Sequence, residues 1–61
     1  MTGKFIWCGM SAKDALDKVI ASDRYEYIAS GNGWFWLKTR YDDVVEVVSD
    51  ANGIVTDIDF L

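Results

Sequence analysis

The sequence predicts an α+β domain, one amphipathic helix packed on a three- to four-stranded antiparallel meander. Three observations carry this. A helical stripe of apolar residues follows Ser11, an aromatic strand-like stretch runs from Gly33 to Tyr41, and valine- and isoleucine-rich segments alternate with Gly/Asn/Asp turns up to Phe60.

The helix is announced by its start. Ser11 as N-cap with Asp14 three residues on approximates a capping box, and Met10 before the cap can staple against Ala15. Ala12, Ala15, Leu16, Val19 and Ile20 then fall at i, i+3, i+4, i+7 and i+8, one face of a helix ending near Ala21 or Ser22. Asp14 and Lys18 stand four apart on the polar side, a favourable ion-pair spacing. About ten residues do not hold a helix in water unaided, so this one must dock.

Tyr25–Ala29 reads as a strand, Ser30–Gly33 as a turn, and Gly33–Tyr41 as a central strand apolar on both faces in its first half. Val44–Val48 and Ile54–Phe60 follow, joined by Asp50–Gly53. A three-residue loop at Tyr41–Asp43 pairs Leu37 with Val47, Thr39 with Val45 and Lys38 with Glu46. A four-residue loop at Asp50–Gly53 pairs Val47 with Thr56, Val45 with Ile58 and Glu46 with Asp57. Ile54, Ile58 and Phe60 then face the helix stripe, while Val55, Asp57 and Asp59 face away. Met1–Lys4 reads as loose, and Phe5–Cys8 as either a short strand or an apolar arm.

Composition excludes more than it assigns. Sixty-one residues make one small domain that buries only about 60 % of its unfolded surface. With no histidine and one cysteine there is no intramolecular disulfide, no ordinary zinc site, no imidazole base and no Ser-His or Cys-His nucleophile. No catalytic residue, metal or cofactor is expected. Cys8, among apolar neighbours, reads as a buried filler. Residues 1–41 carry six basic and four acidic side chains, whereas residues 42–61 carry six acidic and no basic ones. That asymmetry argues against direct nucleic-acid binding and fits solubility or a basic partner. No secretory signal and no apolar run near ~20 residues is present, so a cytoplasmic location and no membrane association are expected.

The face of the sheet turned away from the helix holds the candidate site. Trp34 and Trp36, joined by Tyr27 and Tyr25, form an aromatic patch, and Lys38, Arg40, Glu46, Asp57 and Asp59 form a charged rim. Trp and Tyr in a patch with a polar rim are the chemistry of protein-binding hot spots. The same patch could instead be roofed by Phe5-Ile6-Trp7 or by a second copy of the chain. Other constellations have plainer explanations. Asp50-Ala51-Asn52-Gly53 has calcium-loop flavour but serves as a hairpin turn, because Leu61 stands where that loop needs its glutamate. Asp57 and Asp59 near Glu46 suit a solvated face better than acid–base work. Ser30–Gly33 joins two strands, so it does not open a phosphate-cradling helix.

Gly9-Met10-Ser11 at a helix entry, Trp34-Phe35 on a strand and Gly53–Asp59 on the last strand resemble the SmpA/OmlA family. These are small outer-membrane assembly lipoproteins that share a fold with β-lactamase inhibitory protein. The resemblance covers about half the chain. It implies helices on one face of an antiparallel sheet, a role in gripping another protein, and no catalytic residue. The family places two helices before its strands, whereas here about a dozen residues separate one helix from Trp34, and no lipoprotein signal is visible.

The function expected is a non-enzymatic protein-binding module, a small inhibitor or adaptor of the kind phages and mobile elements encode. It would dock through the Trp34/Trp36 face, with the acidic C-terminal hairpin steering toward a basic partner. The alternative is a structural homo-oligomer, a homodimer for example, whose aromatic face is its own interface.

Overall fold

A computed structural model describes residues 5–61; the Met1–Lys4 segment expected to be loose lies outside them. One helix, α1 (Ala12–Ala21), precedes four strands, β1 (Glu26–Gly31), β2 (Trp34–Lys38), β3 (Val44–Ser49) and β4 (Val55–Phe60). The strands form one antiparallel sheet in the order β1-β2-β3-β4, the expected meander. Among the described residues no helix is long and apolar enough to cross a membrane.

The helix starts as its sequence dictates. Ser11 accepts the Asp14 N–H through Oγ at 3.4 Å, and Ser22 closes the other end by donating its N–H to Val19 O at 3.1 Å. Ala15 and Val19 are fully buried and share one core with Met10, Phe35, Leu37, Val45, Val47 and Val55. Ile20, expected in this stripe, is 65 % exposed, because the helix rests on Ala15 and Val19 and turns the i+8 position outward. Lys18 does not take the expected pairing with Asp14. It donates from Nζ to the Phe5 carbonyl at 3.3 Å.

Each hairpin differs from expectation by a turn. Asn32-Gly33 is the whole β1–β2 loop, shorter than the expected Ser30–Gly33, with positive φ at Gly33 alone, the pattern of a type II turn. The β2–β3 loop spans five residues, not three. Thr39 organises it by accepting the Tyr41 and Asp43 N–H groups on Oγ1 at 3.1 and 3.3 Å. Lys38 therefore lies opposite Val44, Leu37 opposite Val45, Trp36 opposite Glu46, Phe35 opposite Val47 and Trp34 opposite Val48. The whole register moves by two residues from expectation, which leaves every side chain on its expected face.

At the last hairpin, Asp50 Oδ1 accepts the Asn52 and Ile54 N–H groups at 2.9 and 3.1 Å, which shapes the expected turn. Val47 pairs with Ile58 and Glu46 with Asp59, again two residues from the expected partners. Between Val48 and Ser49 the ladder is irregular. Val48 opposes Asp57 and Ser49 opposes Val55, so Thr56 is the extra residue of a bulge. The bulge reverses the expected faces beside it: Val55 is 1 % exposed in the core, and Ile54 is 36 % exposed. Phe60, opposite Val45 on the helix side, lies beyond the helix's cover and is 76 % exposed.

The N-terminal segment is an arm. Phe5 and Ile6 pack against the core, and Phe5 stacks on Tyr25 at 4.6 Å between ring centroids. The chain then reaches β4, where Gly9 N–H donates to Val55 O at 2.7 Å and Val55 N–H to Met10 O at 2.8 Å. Cys8, expected as a buried filler, is exposed, because this crossing lifts it off the core.

Candidate protein-binding face

Side chains opposite one another in adjacent strands share a face, so the register lays out the surface turned away from α1. One row across the sheet reads Gly31, Trp34, Val48, Asp57. The next reads Ala29, Trp36, Glu46, Asp59, and a third reads Glu26, Lys38, Val44. Smallest side chains, paired indoles and carboxylates thus succeed one another from β1 to β4.

Both tryptophans are half-buried, and their ring centroids lie 5.3 Å apart with planes inclined by 48°. Each is held by a neighbour on the sheet. A Cβ placed on Gly31 would stand 2.5–2.7 Å from the Trp34 indole, so that ring lies directly over the glycine. An aromatic covering a cross-strand glycine on an edge strand compensates for the packing that the glycine lacks. Trp36 turns toward β3 and donates Nε1–H to Glu46 Oε2 at 3.0 Å, satisfying its one polar atom. The two indoles therefore form one contiguous, tilted aromatic platform.

The carboxylates gather at the platform's β4 edge. Glu46 and Asp59 face each other across the ladder, with Asp57 two residues along the same strand face. The charge of Asp57 and its hydrogen bond to Asp59 raise the Asp59 carboxyl above its ordinary value of 3.8, and the charge of Glu46 adds to this. Among the described residues no cluster of three or more Asp, Glu or Cys is placed to hold a metal ion.

The structure brings Trp34, Trp36, Lys38, Glu46, Asp57 and Asp59 together on this face, as expected, with changed neighbours. Lys38 was expected beside Glu46 and Asp57. With the shifted register it reaches Asp42 instead, at 3.9 Å, the one ion pair among the described residues. Arg40 leaves the face because β2 ends at Lys38; it sits in the loop with its guanidinium 5.6 Å from the Tyr41 ring centre. Tyr27 lies opposite Leu37, on the helix side, where its hydroxyl is 2.7 Å from Ser30 Oγ. A register irregularity between Tyr27 and Ala29 sets these side chains' faces, and Tyr25 packs against Phe5 on that same side.

Among the described residues, the Phe5-Ile6-Trp7 arm does not roof this face. Phe5 and Ile6 cover part of the helix-side core, and Trp7 lies against Lys18 of α1, its ring centre 4.5 Å from Nζ. Sequence reasoning missed Ala29 and Gly31 as parts of the platform. The signal for them was two small residues on a strand beside an aromatic one. No protein-family model, curated protein or solved structure matches the chain.

Proposed function

We propose that this chain is a non-enzymatic protein-binding module, an inhibitor or adaptor that docks through the Trp34/Trp36 platform onto a basic surface of another protein. The observation that carries this reading is the half-exposed platform: among the described residues, the core-packing side chains of α1 and of the Phe5–Trp7 arm lie on the opposite side of the sheet. Two half-buried indoles beside Ala29 and Gly31 offer rigid aromatic area at little cost in side-chain freedom, which suits an interface centre. Their rim supplies Glu46, Asp57 and Asp59, which meet no cation in any ion pair among the described residues. A partner's Lys or Arg would relieve the repulsion between them and speed encounter.

The same charges weigh against the homodimer. The face carries Glu26, Glu46, Asp57 and Asp59 against one lysine, and a second copy laid upon it would double that imbalance. The SmpA/OmlA-like motifs, at the entry to α1, on β2 and on β4, agree with a protein-gripping role. The test begins with molar mass by light scattering over a wide concentration range, where a monomer is expected. Immobilised chain then captures partners with and without Trp36→Ala. The variant should bind more than about 1 kcal/mol more weakly with its helix content intact, and wild-type binding should fall as salt rises. A concentration-dependent dimer abolished by Trp36→Ala would overturn the proposal in favour of self-association.

A further inference from the structure

The helix covers only part of the inner sheet face. Beyond it lies an apolar groove of about 260 Å³, whose floor includes Leu37, Val45, Ile58 and Phe60 and whose wall is Phe5 and Ile6. The way this wall is attached sets it apart from the rest of the core. Among the described residues, neither Phe5 nor Ile6 makes a backbone hydrogen bond to another backbone group, whereas Gly9, Met10 and Ala12 are all tied to Gly53 or Val55. Trp7 has only local ties, its carbonyl accepting the Met10 N–H at 3.4 Å and its own N–H meeting Met10 Sδ at 3.3 Å, so what holds the arm to the rest of the fold is side-chain contact. Phe5 stacks on Tyr25, and Lys18 reaches across from α1 to donate to the Phe5 carbonyl. The same ammonium lies 4.5 Å from the Trp7 ring centre and 5.8 Å from that of Phe5. The segment ends at Gly9, whose φ of +104° is open to glycine but strained for other residues.

We propose that residues 5–7 form a strap, latched by Lys18, that lifts as a unit from the groove while α1 and the sheet stay folded. None of these contacts is a hydrogen bond of the helix or of the strand ladder, so they break without opening either, and this segment belongs to the low-stability end of the molecule. Lys18 is the natural latch because one ammonium serves three sites on the strap: a carbonyl and two aromatic faces. Lifting the strap bares Val45, Leu37 and Ile58 beside the already exposed Phe60 and Leu61. The chain thereby gains an apolar surface on the side opposite the tryptophan platform, whatever the platform binds.

The test is native-state thiol labelling in a Cys8→Ser background. Val45→Cys places a thiol on the groove floor, and Val19→Cys places one under the helix, where burial is nearly complete. The thiol at 45 should label many times faster than the thiol at 19. Adding Lys18→Met, which keeps the aliphatic stem, should accelerate labelling at 45 several-fold to about tenfold while leaving position 19 changed only as far as global stability changes. Equal, slow rates at both positions would overturn the proposal, since the arm would then open only with the whole fold. Acceleration of both alike would make Lys18 a general stabiliser, and fast labelling at 45 indifferent to Lys18→Met would leave no latch. Should a cysteine variant not fold, ANS binding to the otherwise native chain decides. Lys18→Met should raise it with far-ultraviolet circular dichroism unchanged, and no rise would refute the strap.

Discussion

Gly31→Ala is the most discriminating perturbation of the platform, because two opposed effects of known size meet at one methyl group. The new Cβ would stand 2.5 Å from Trp34 Nε1 and 2.6 Å from Cε2, closer than atoms can stay, so the indole must swing off β1. If roughly a third of the about 200 Å² that an indole buries is re-exposed, at about 25 cal/mol/Å² the loss is about 1.7 kcal/mol. Replacing a strand glycine by alanine returns about 0.5–1 kcal/mol through the unfolded chain. The net destabilisation should be about 1 kcal/mol. With Trp34 already removed, the cost disappears and only the gain remains, so Gly31→Ala should stabilise Trp34→Ala. A double-mutant cycle in urea reads this change of sign. The exciton couplet expected from two indoles 5.3 Å apart should vanish in Gly31→Ala alone. An unchanged couplet, or a cost that is the same with and without Trp34, would refute the claim that the glycine is there to seat the indole.

Three further predictions address the hairpins and the acidic edge. Val55→Ala should cost about 2 kcal/mol, and Ile54→Ala under about 1 kcal/mol; a reversed order in urea midpoints would mean that the bulge at Thr56 is not formed. Asp42, at φ +67°, is the one described residue other than glycine in left-handed backbone, so Asp42→Gly should raise stability by up to about 1 kcal/mol, read by thermal melting. Asp59 has a raised folded pKa, so the native state takes up its proton before the unfolded chain does and stability gains as pH falls toward 3.8. Asp59→Asn should therefore melt higher than wild type at neutral pH, with the difference shrinking through that acidic window; a pH-independent difference would remove the repulsion argument.

Much of the fold was legible because period and punctuation agree at most elements. The Ala12–Val19 stripe, the Ser11 cap and the Gly/Asn/Asp turns each admit one reading, and a two-residue shift of register leaves the faces unchanged. What escaped was local side-chain chemistry that changes loop length. Thr39 lengthens the β2–β3 loop by accepting two backbone N–H groups through its hydroxyl, a role that a threonine at the end of a strand pattern does not declare. The bulge at Thr56 escaped for a similar reason. Ile54 and Val55 are equally apolar, and only the hydrogen bonds of Gly9 and Met10 to Val55 favour burying the second.

The site was legible in its residue types and less so in its partners. Trp34 and Trp36 were bound to share a face by their spacing, but whether the N-terminal arm covered them depended on Lys18. Its ammonium draws Phe5 and Trp7 to the helix side, and no periodicity announces a contact between a helix and an arm outside it. That choice ties the two surfaces of the molecule together. An arm latched over the helix-side groove cannot also roof the platform, so the contact that encloses one apolar surface keeps the aromatic one open. A strap released by Lys18→Met would be free to reach either side of the sheet. If its aromatic residues then settled on Trp34 and Trp36, the variant would lose platform binding although no platform residue had changed. Binding that survived Lys18→Met undiminished would show instead that the lifted strap stays clear of the indoles.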